Sequence, residues 1–292
     1  MKEFDLDVFE YRRQKEVKMI DLIKEEQLKD DYHKISFRSH DCGYVDGYIY
    51  YPKEEKKDYK CIFMFHGGGM VLRYPEQEGQ YCRYLAEKIG RAVINVDYPV
   101  APEFKYPLPL YGTYDFLIGV IDHKDEYHLD DKDIAFVGSS AGATIASDMC
   151  ILNKDKKALD IAYLVVNYGV FHQKADSYTR QGKDPNKVIA PSRMQQYLHW
   201  YFDDLSRLDE PLASPINAEA DCFPKTLIIG AEYDSLLDDS IELHGKITDS
   251  LLWIAPEVCH GFTHNWFKEY DEDKANQAWQ MIADFIEESK NE

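Results

Sequence analysis

Phe136-Val137-Gly138-Ser139-Ser140-Ala141-Gly142 is the stretch on which the reading of the chain turns. An apolar run over residues 134–137 halts at a Gly-Ser-Ser-Ala-Gly pentapeptide. The chain then resumes as Ala143-Thr144-Ile145-Ala146-Ser147-Asp148-Met149-Cys150, with the character of a buried helix's first turns. Strand, tight turn and helix around Gly-x-Ser-x-Gly is the pattern that lifts a serine hydroxyl clear of its own backbone. A serine on so sharp a turn holds a sparsely populated conformation, and its neighbours two places away must lack bulk. Gly138 and Gly142 meet that need, and Ala141 leaves its N–H free to face a bound oxyanion. The pentapeptide alone fits an ordinary Ser/Gly loop equally well, so the case rests on what accompanies it.

The chain of 292 residues is long enough for one large domain with a substantial core. Apolar content of 45% and charged content of 30% are those of a globular protein. No apolar run approaches the roughly 20 residues that span a bilayer, and the acid-broken start, Met1-Lys2-Glu3-Phe4-Asp5, does not read as a secretory signal. The expectation is therefore a cytoplasmic protein without a membrane partner. A formal net charge of -19 argues against nucleic acid as a partner, because such a surface repels phosphates. The six cysteines (42, 61, 82, 150, 222 and 259) form no C-x-x-C pair and no zinc spacing, so reduced thiols and no metal are expected.

Outward from the pentapeptide, residues 1–32 read as a charged helix with apolar positions Phe9, Val17, Ile20, Ile23 and Leu28, an arm or a lid. Residues 34–51 alternate around an Asp41-Cys42-Gly43 break, as an antiparallel hairpin does. Lys60-Cys61-Ile62-Phe63-Met64-Phe65 is a strand fit for burial on both faces, and it runs into His66-Gly67-Gly68-Gly69. Three successive glycines are costly in backbone entropy. Backbone N–H groups that must reach a reacting carbonyl require them, although a flexible loop has the same spelling.

Further strands are expected over 92–98, 162–168, 225–230 and 251–254. Helices are expected from Pro109 past Ile121, from Ser192 onward, over 238–248 and up to about 288. Strands apolar throughout, alternating with helices, specify a mostly parallel, twisted α/β sheet with helices on both faces. Between 170 and 210 the chain turns polar and then aromatic, with Tyr197, Trp200 and Tyr201 on one helix. That insertion is either a cap lining the active-site mouth or a helix packing its rings into the body.

In such sheets reacting groups gather at the carboxyl ends of strands. Ser140, Asp234 and His260 each follow an expected strand, in the chain order of the nucleophile-elbow hydrolases. A hydroxyl needs a base to be nucleophilic at neutral pH, which assigns His260 as base and Asp234 as the acid that orients it. Asp238 and Asp239 compete for the acid position and His264 for the base position.

His66-Gly67-Gly68-Gly69, Tyr98-Pro99-Val100-Ala101-Pro102-Glu103, Gly138-Ser139-Ser140-Ala141-Gly142, Glu232-Tyr233-Asp234 and His260-Gly261-Phe262 stand in register from about residue 60 onward. Together they resemble the hormone-sensitive lipase family of α/β-hydrolases. The resemblance implies an α/β-hydrolase fold over a single domain, 1–292, with a helical cap from about 1–32 and 170–210. It further implies cofactor-free hydrolysis of a small-molecule ester and an oxyanion hole from the N–H groups of Gly68, Gly69 and Ala141. Two departures bear on the surroundings of the site. Ser139 stands where the family usually has Asp, and Tyr98-Pro99-Val100 stands where it usually has Tyr-Arg-Leu. The expected function is a serine carboxylesterase for short acyl groups, acetyl included, with Tyr197, Trp200 and Tyr201 facing substrate. An amidase or formamidase with the same triad remains open, as does a non-catalytic binding protein on this scaffold. The oligomeric state is left open, a homodimer among the candidates.

Overall fold

The structure, a computed structural model, describes residues 7–180, 182 and 189–287. Parts of the expected cap (1–6, 181 and 183–188) and the end of the last expected helix therefore lie outside the described residues. Five apolar stretches supply the buried parts of the central strands: β3 (Tyr59–Phe65), β4 (Ala92–Asp97), β5 (Leu129–Ser139, buried throughout only from Ile134), β6 (Ile161–Asn167) and β7 (Lys225–Ala231). The alternating hairpin becomes β1 (His33–Ser39) and β2 (Gly43–Tyr50), paired antiparallel from His33↔Ile49 to Ser39↔Gly43. With β8 (Ser250–Ala255) they form one sheet in the order β1-β2-β4-β3-β5-β6-β7-β8, parallel from β4 through to β8. β2 runs antiparallel to both of its neighbours.

Helices α3 (Leu108–Asp122), α4 (Ala141–Lys156) and α6 (Leu237–Lys246) cover one face, where Phe63, Phe65 and Phe136 meet edge to face at 5.9 and 5.6 Å. Full burial of each such ring contributes about 1.5–3 kcal/mol. The other face is covered by α2 (Gly79–Ile89) and α7 (Glu272–Glu287), with Tyr81 stacked on Trp279 at 4.5 Å. Burial on both faces holds only in the middle of the sheet. β8 is the edge, and Leu251 on it is 55% exposed.

Two elements lie above the carboxyl ends of the strands. α1 (Val8–Leu28) is clamped by Arg12, which donates to the Val71 carbonyl at 2.6 Å, to the Ala101 carbonyl, and to both oxygens of Glu103. Its far end is held by Glu26 and Asp31 around Arg83. The face that packs is Val8, Tyr11, Met19 and Ile23, a helical spacing. Of the apolar positions noted in its sequence, Ile23 is buried, whereas Phe9, Val17 and Leu28 are exposed. α5 (Pro191–Tyr201) is the helix of the insertion, and it meets α1 where the Tyr11 and Tyr197 hydroxyls hydrogen-bond at 2.5 Å. No described helix is long and apolar enough to cross a membrane.

Candidate active site

β5 ends at Ser139 and α4 begins at Ala141, so Ser140 carries the whole turn, with φ 53° and ψ -122°. That conformation is strained for a residue with a side chain, and close packing on either side enforces it. A Cβ on Gly138 would lie 2.2 Å from the Gly142 carbonyl oxygen, and one on Gly142 would lie 2.0 Å from that of Phe65. Both glycines are therefore obligatory where β5, α4 and the end of β3 converge. The Ser140 N–H donates to the Asn167 carbonyl at 2.9 Å, which ties the turn to β6.

The expected partners converge on this serine. His260 Nε2 stands 3.0 Å from Ser140 Oγ, and His260 Nδ1 stands 2.8 Å from Asp234 Oδ2. The other carboxylate oxygen of Asp234 accepts from the Leu236 N–H at 3.2 Å, and the residue is buried. Tyr168 lies edge-on to the imidazole at 4.9 Å and helps set its plane. Such a chain can take the proton from a serine hydroxyl and stabilise the imidazolium that forms.

Of the competing residues, Asp238 stands exposed in the first turn of α6, and the other two are occupied elsewhere. Asp239 is paired with Arg180 at 2.6 Å and accepts from the N–H groups of Phe171 and His172 at 2.8 and 3.0 Å, anchoring the start of the insertion. His264 is buried against Glu78 at 3.0 Å and against the Tyr168 hydroxyl at 2.9 Å.

The glycine run is held in a defined orientation. His66 stacks on Tyr98 at 4.3 Å, while the Tyr98 hydroxyl donates to the His66 carbonyl at 2.6 Å. Burial pushes the pKa of His66 down, so the ring is held neutral, with Nδ1 2.8 Å from the Gly67 carbonyl oxygen. Gln77 donates to the same oxygen at 3.0 Å. In a trans peptide the C=O and N–H point in opposite directions, so pinning the Gly67 oxygen turns the Gly68 N–H the other way. The next peptide is fixed likewise, because the Gly68 carbonyl accepts from Leu72 N–H at 3.0 Å. Ala141 opens α4, where the first N–H groups have no partner within the helix.

Ser140 lies where two cavities meet. One, of about 60 Å³, is apolar and lined by Gly69, Ala141, Val170, Leu198, Tyr201 and Leu236 among others. The other, of about 410 Å³, takes in His260, the three glycines, Tyr11, Lys15, Lys18, Arg193 and Trp266. Tyr197 borders both. Tyr201 lines the small cavity as expected, but Trp200 lines neither. Along α5 the small cavity is met by Met194, Tyr197, Leu198 and Tyr201, spaced i, i+3, i+4 and i+7, which leaves Trp200 on the flank. There it packs on Tyr11 at 5.4 Å. The insertion is thus both a wall of the site and a packed helix.

Sequence reasoning did not pick out Tyr11, Lys15, Lys18 and Arg193, which line the larger cavity. Lys15 and Lys18 are three apart and so share a helix face, but nothing local says which way that face turns. Burial, and then the neighbouring charges of Lys18 and Arg193, push the pKa of Lys15 down. Among the described residues no group of three or more His, Cys, Asp or Glu is placed to hold a metal.

A serine at a strand–helix elbow, a histidine and an acid on successive strand ends, and a glycine run opposite define the α/β-hydrolase class. Residues 62–268 match the family described as alpha/beta hydrolase fold, and the chain belongs to it. It is 29% identical over 178 residues to the arylesterase of Saccharolobus solfataricus, covering 61% of this chain and 58% of that protein. It is 28% identical over 209 residues to the acetyl esterase of Salmonella typhi, covering 69% of this chain and 63% of that one. The chain thus spans less than two thirds of the length of these relatives. A Pyrobaculum calidifontis esterase superposes with a TM-score of 0.87 at 27% identity, over 99% of this chain and 95% of that one.

Proposed function

We propose that the protein is a serine carboxylesterase that removes short acyl groups, acetyl first among them, from alcohols. The observation that carries this reading is the hydrogen-bonded chain from Asp234 through His260 to Ser140, set where a small apolar cavity meets a larger one that Lys15, Lys18 and Arg193 line. The names of the relatives, esterase and acetyl esterase, support it.

In this reading Ser140 Oγ attacks the ester carbonyl as His260 Nε2 takes its proton. The N–H groups of Gly68, Gly69 and Ala141 receive the oxyanion. Collapse of the tetrahedral intermediate breaks the bond to the alcohol oxygen, which leaves with the proton from His260. Water then attacks acyl-Ser140, giving its proton to His260, and the second collapse returns that proton to Ser140 and releases the carboxylic acid. Because His260 borders only the large cavity, the alcohol belongs there and the acyl group belongs in the small one. At about 60 Å³ the cavity is well under the roughly 150 Å³ of an engineered cavity that takes a benzene ring, which suits an acetyl group and crowds a longer chain.

The test is labelling with a fluorophosphonate, located by peptide mass spectrometry, beside turnover of p-nitrophenyl acetate, butyrate and octanoate and of the matching acetanilide. Label on Ser140, turnover fastest with acetate and slower with the anilide, is the expected result. Ser140→Ala should lose the label and keep only a residual rate, down by on the order of 10⁴-fold or more. Near-full activity in a clean Ser140→Ala preparation refutes the reading.

A further inference from the structure

The large cavity carries more positive charge than a site for neutral alcohols needs. In a chain of net charge -19, Lys15 and Lys18 of α1 and Arg193 of α5 line one wall. Among the described residues no carboxylate stands within ion-pair distance of any of the three. Glu78, the acid in the same lining, is engaged by His264 at 3.0 Å. Glu269 acts on Lys15 only through space. Two of the cations are fixed by one ring: Arg193 Cζ lies 4.2 Å and Lys15 Nζ 5.5 Å from the centroid of Tyr11. Tyr11 is itself held by the Tyr197 hydroxyl. Nη1 of Arg193 is buried without a hydrogen-bond partner. Like charges crowded into one cavity repel one another, and an anion among them reverses the sign of that energy. A guanidinium fork with an unused N–H is suited to a carboxylate or phosphate.

We propose that the alcohol side of the site is an oxyanion subsite, so that the preferred substrates are short-acyl esters whose alcohol carries a carboxylate or phosphate. The assignment rests on the esterase reading above, because His260 places the leaving alcohol in this cavity. Arg193 and Lys15 receive the anionic group, and Lys18 at the rim draws it in.

The experiment compares kcat/KM for three acetyl esters of one size: those of 4-hydroxybenzoate, of 4-hydroxyphenyl phosphate and of methyl 4-hydroxybenzoate. At least one anionic ester should exceed the neutral one by about tenfold or more, and the two anionic arms tell carboxylate from phosphate. That ratio should collapse in Arg193→Gln, fall in Lys15→Gln and Lys18→Gln, and shrink at high salt through screening at the rim. A ratio at or below one in the wild-type protein overturns the proposal, as does a ratio unmoved by Arg193→Gln and Lys15→Gln. Calorimetric binding of 4-hydroxybenzoate and 4-hydroxyphenyl phosphate to Ser140→Ala reads the subsite without turnover. Binding no tighter than that of methyl 4-hydroxybenzoate overturns it as well. Loss of p-nitrophenyl acetate turnover and of Ser140 labelling would instead be failures of the esterase reading.

Discussion

At the scale of single residues, the site depends on backbone positions that admit no substitute, and Gly69 is the most exposed to test. Its φ of 63° costs a residue with a Cβ roughly 1–2 kcal/mol. A Cβ there would also lie 2.6 Å from Cε1 of Tyr197. The ring cannot yield freely, because its hydroxyl is bonded to Tyr11. Gly69→Ala should therefore displace the proposed oxyanion donor and lower kcat by on the order of a hundredfold, the cost of one such donor, while circular dichroism stays unchanged. Tyr197→Ala removes the obstruction, so the double variant should lose less than the product of the two single losses. Strictly multiplicative losses would mean that the collision is not the cause. Residues of this kind were partly legible. Ser140, Asp234 and His260 are marked by order and by the strand ends they follow, and the structure brings them within hydrogen-bond distance. The roles of Asp239 and His264 were not, because pairing with Arg180 and Glu78 joins residues 59 and 186 positions apart, beyond any local pattern.

At the scale of elements, legibility follows how much of an element's surface is buried. Central strands are buried on both faces and read as unbroken apolar runs, so β3, β4, β6 and β7 fall where expected. β5 does so over 134–137 but starts at Leu129, through the charged Asp130-Asp131-Lys132-Asp133 that hid its beginning. Helix α2 went unnoticed although Tyr81, Cys82, Leu85, Ala86 and Ile89 repeat with a helical period and Gly90 closes it in the left-handed conformation. For α1 the element was recognised but, Ile23 apart, not its packed face, because polar contacts share in holding it: Arg12 on Glu103, and Glu26 on Arg83. α5 is the clearest case of an element shaping chemistry, since Met194, Tyr197, Leu198 and Tyr201 set the end of the small cavity. Leu198→Ala should lengthen that cavity without touching Ser140 or His260. The ratio of p-nitrophenyl butyrate to acetate turnover should then rise several-fold, as expected when one or two methylenes worth about 0.8 kcal/mol each find room. An unchanged ratio would place the limiting wall at Val170 or Leu236 instead.

At the scale of the whole molecule, the charges that face solvent and the buried Asp148 pull stability in opposite directions with pH. Asp31, hydrogen-bonded by Arg83, and Asp133, hydrogen-bonded by Lys60, are held below the usual carboxylate range. Groups of that sign stabilise the fold above their unfolded pKa and lose the contribution as pH falls. Asp148 is the reverse. It lies two turns beyond Ser140 in α4, fully buried, with Oδ1 lacking a hydrogen-bond partner, and burial pushes its carboxyl well above the usual range. Burial thus favours the protonated carboxyl of Asp148 in the folded state. Keeping that proton costs nothing below the unfolded value near 3.8, where both states carry the proton, and it costs more with each step of pH above it. Asp148→Asn keeps the shape and removes the titration. The Tm of Asp148→Asn minus that of the wild-type protein should therefore grow as pH rises above the ordinary aspartate pKa of about 3.9, through the range in which only the unfolded chain has lost the proton. The comparison cancels the surface pairs, which both proteins share. A difference that stays constant across that range would mean that Asp148 is ionised in the folded state, with a countercharge closer to it than the structure shows.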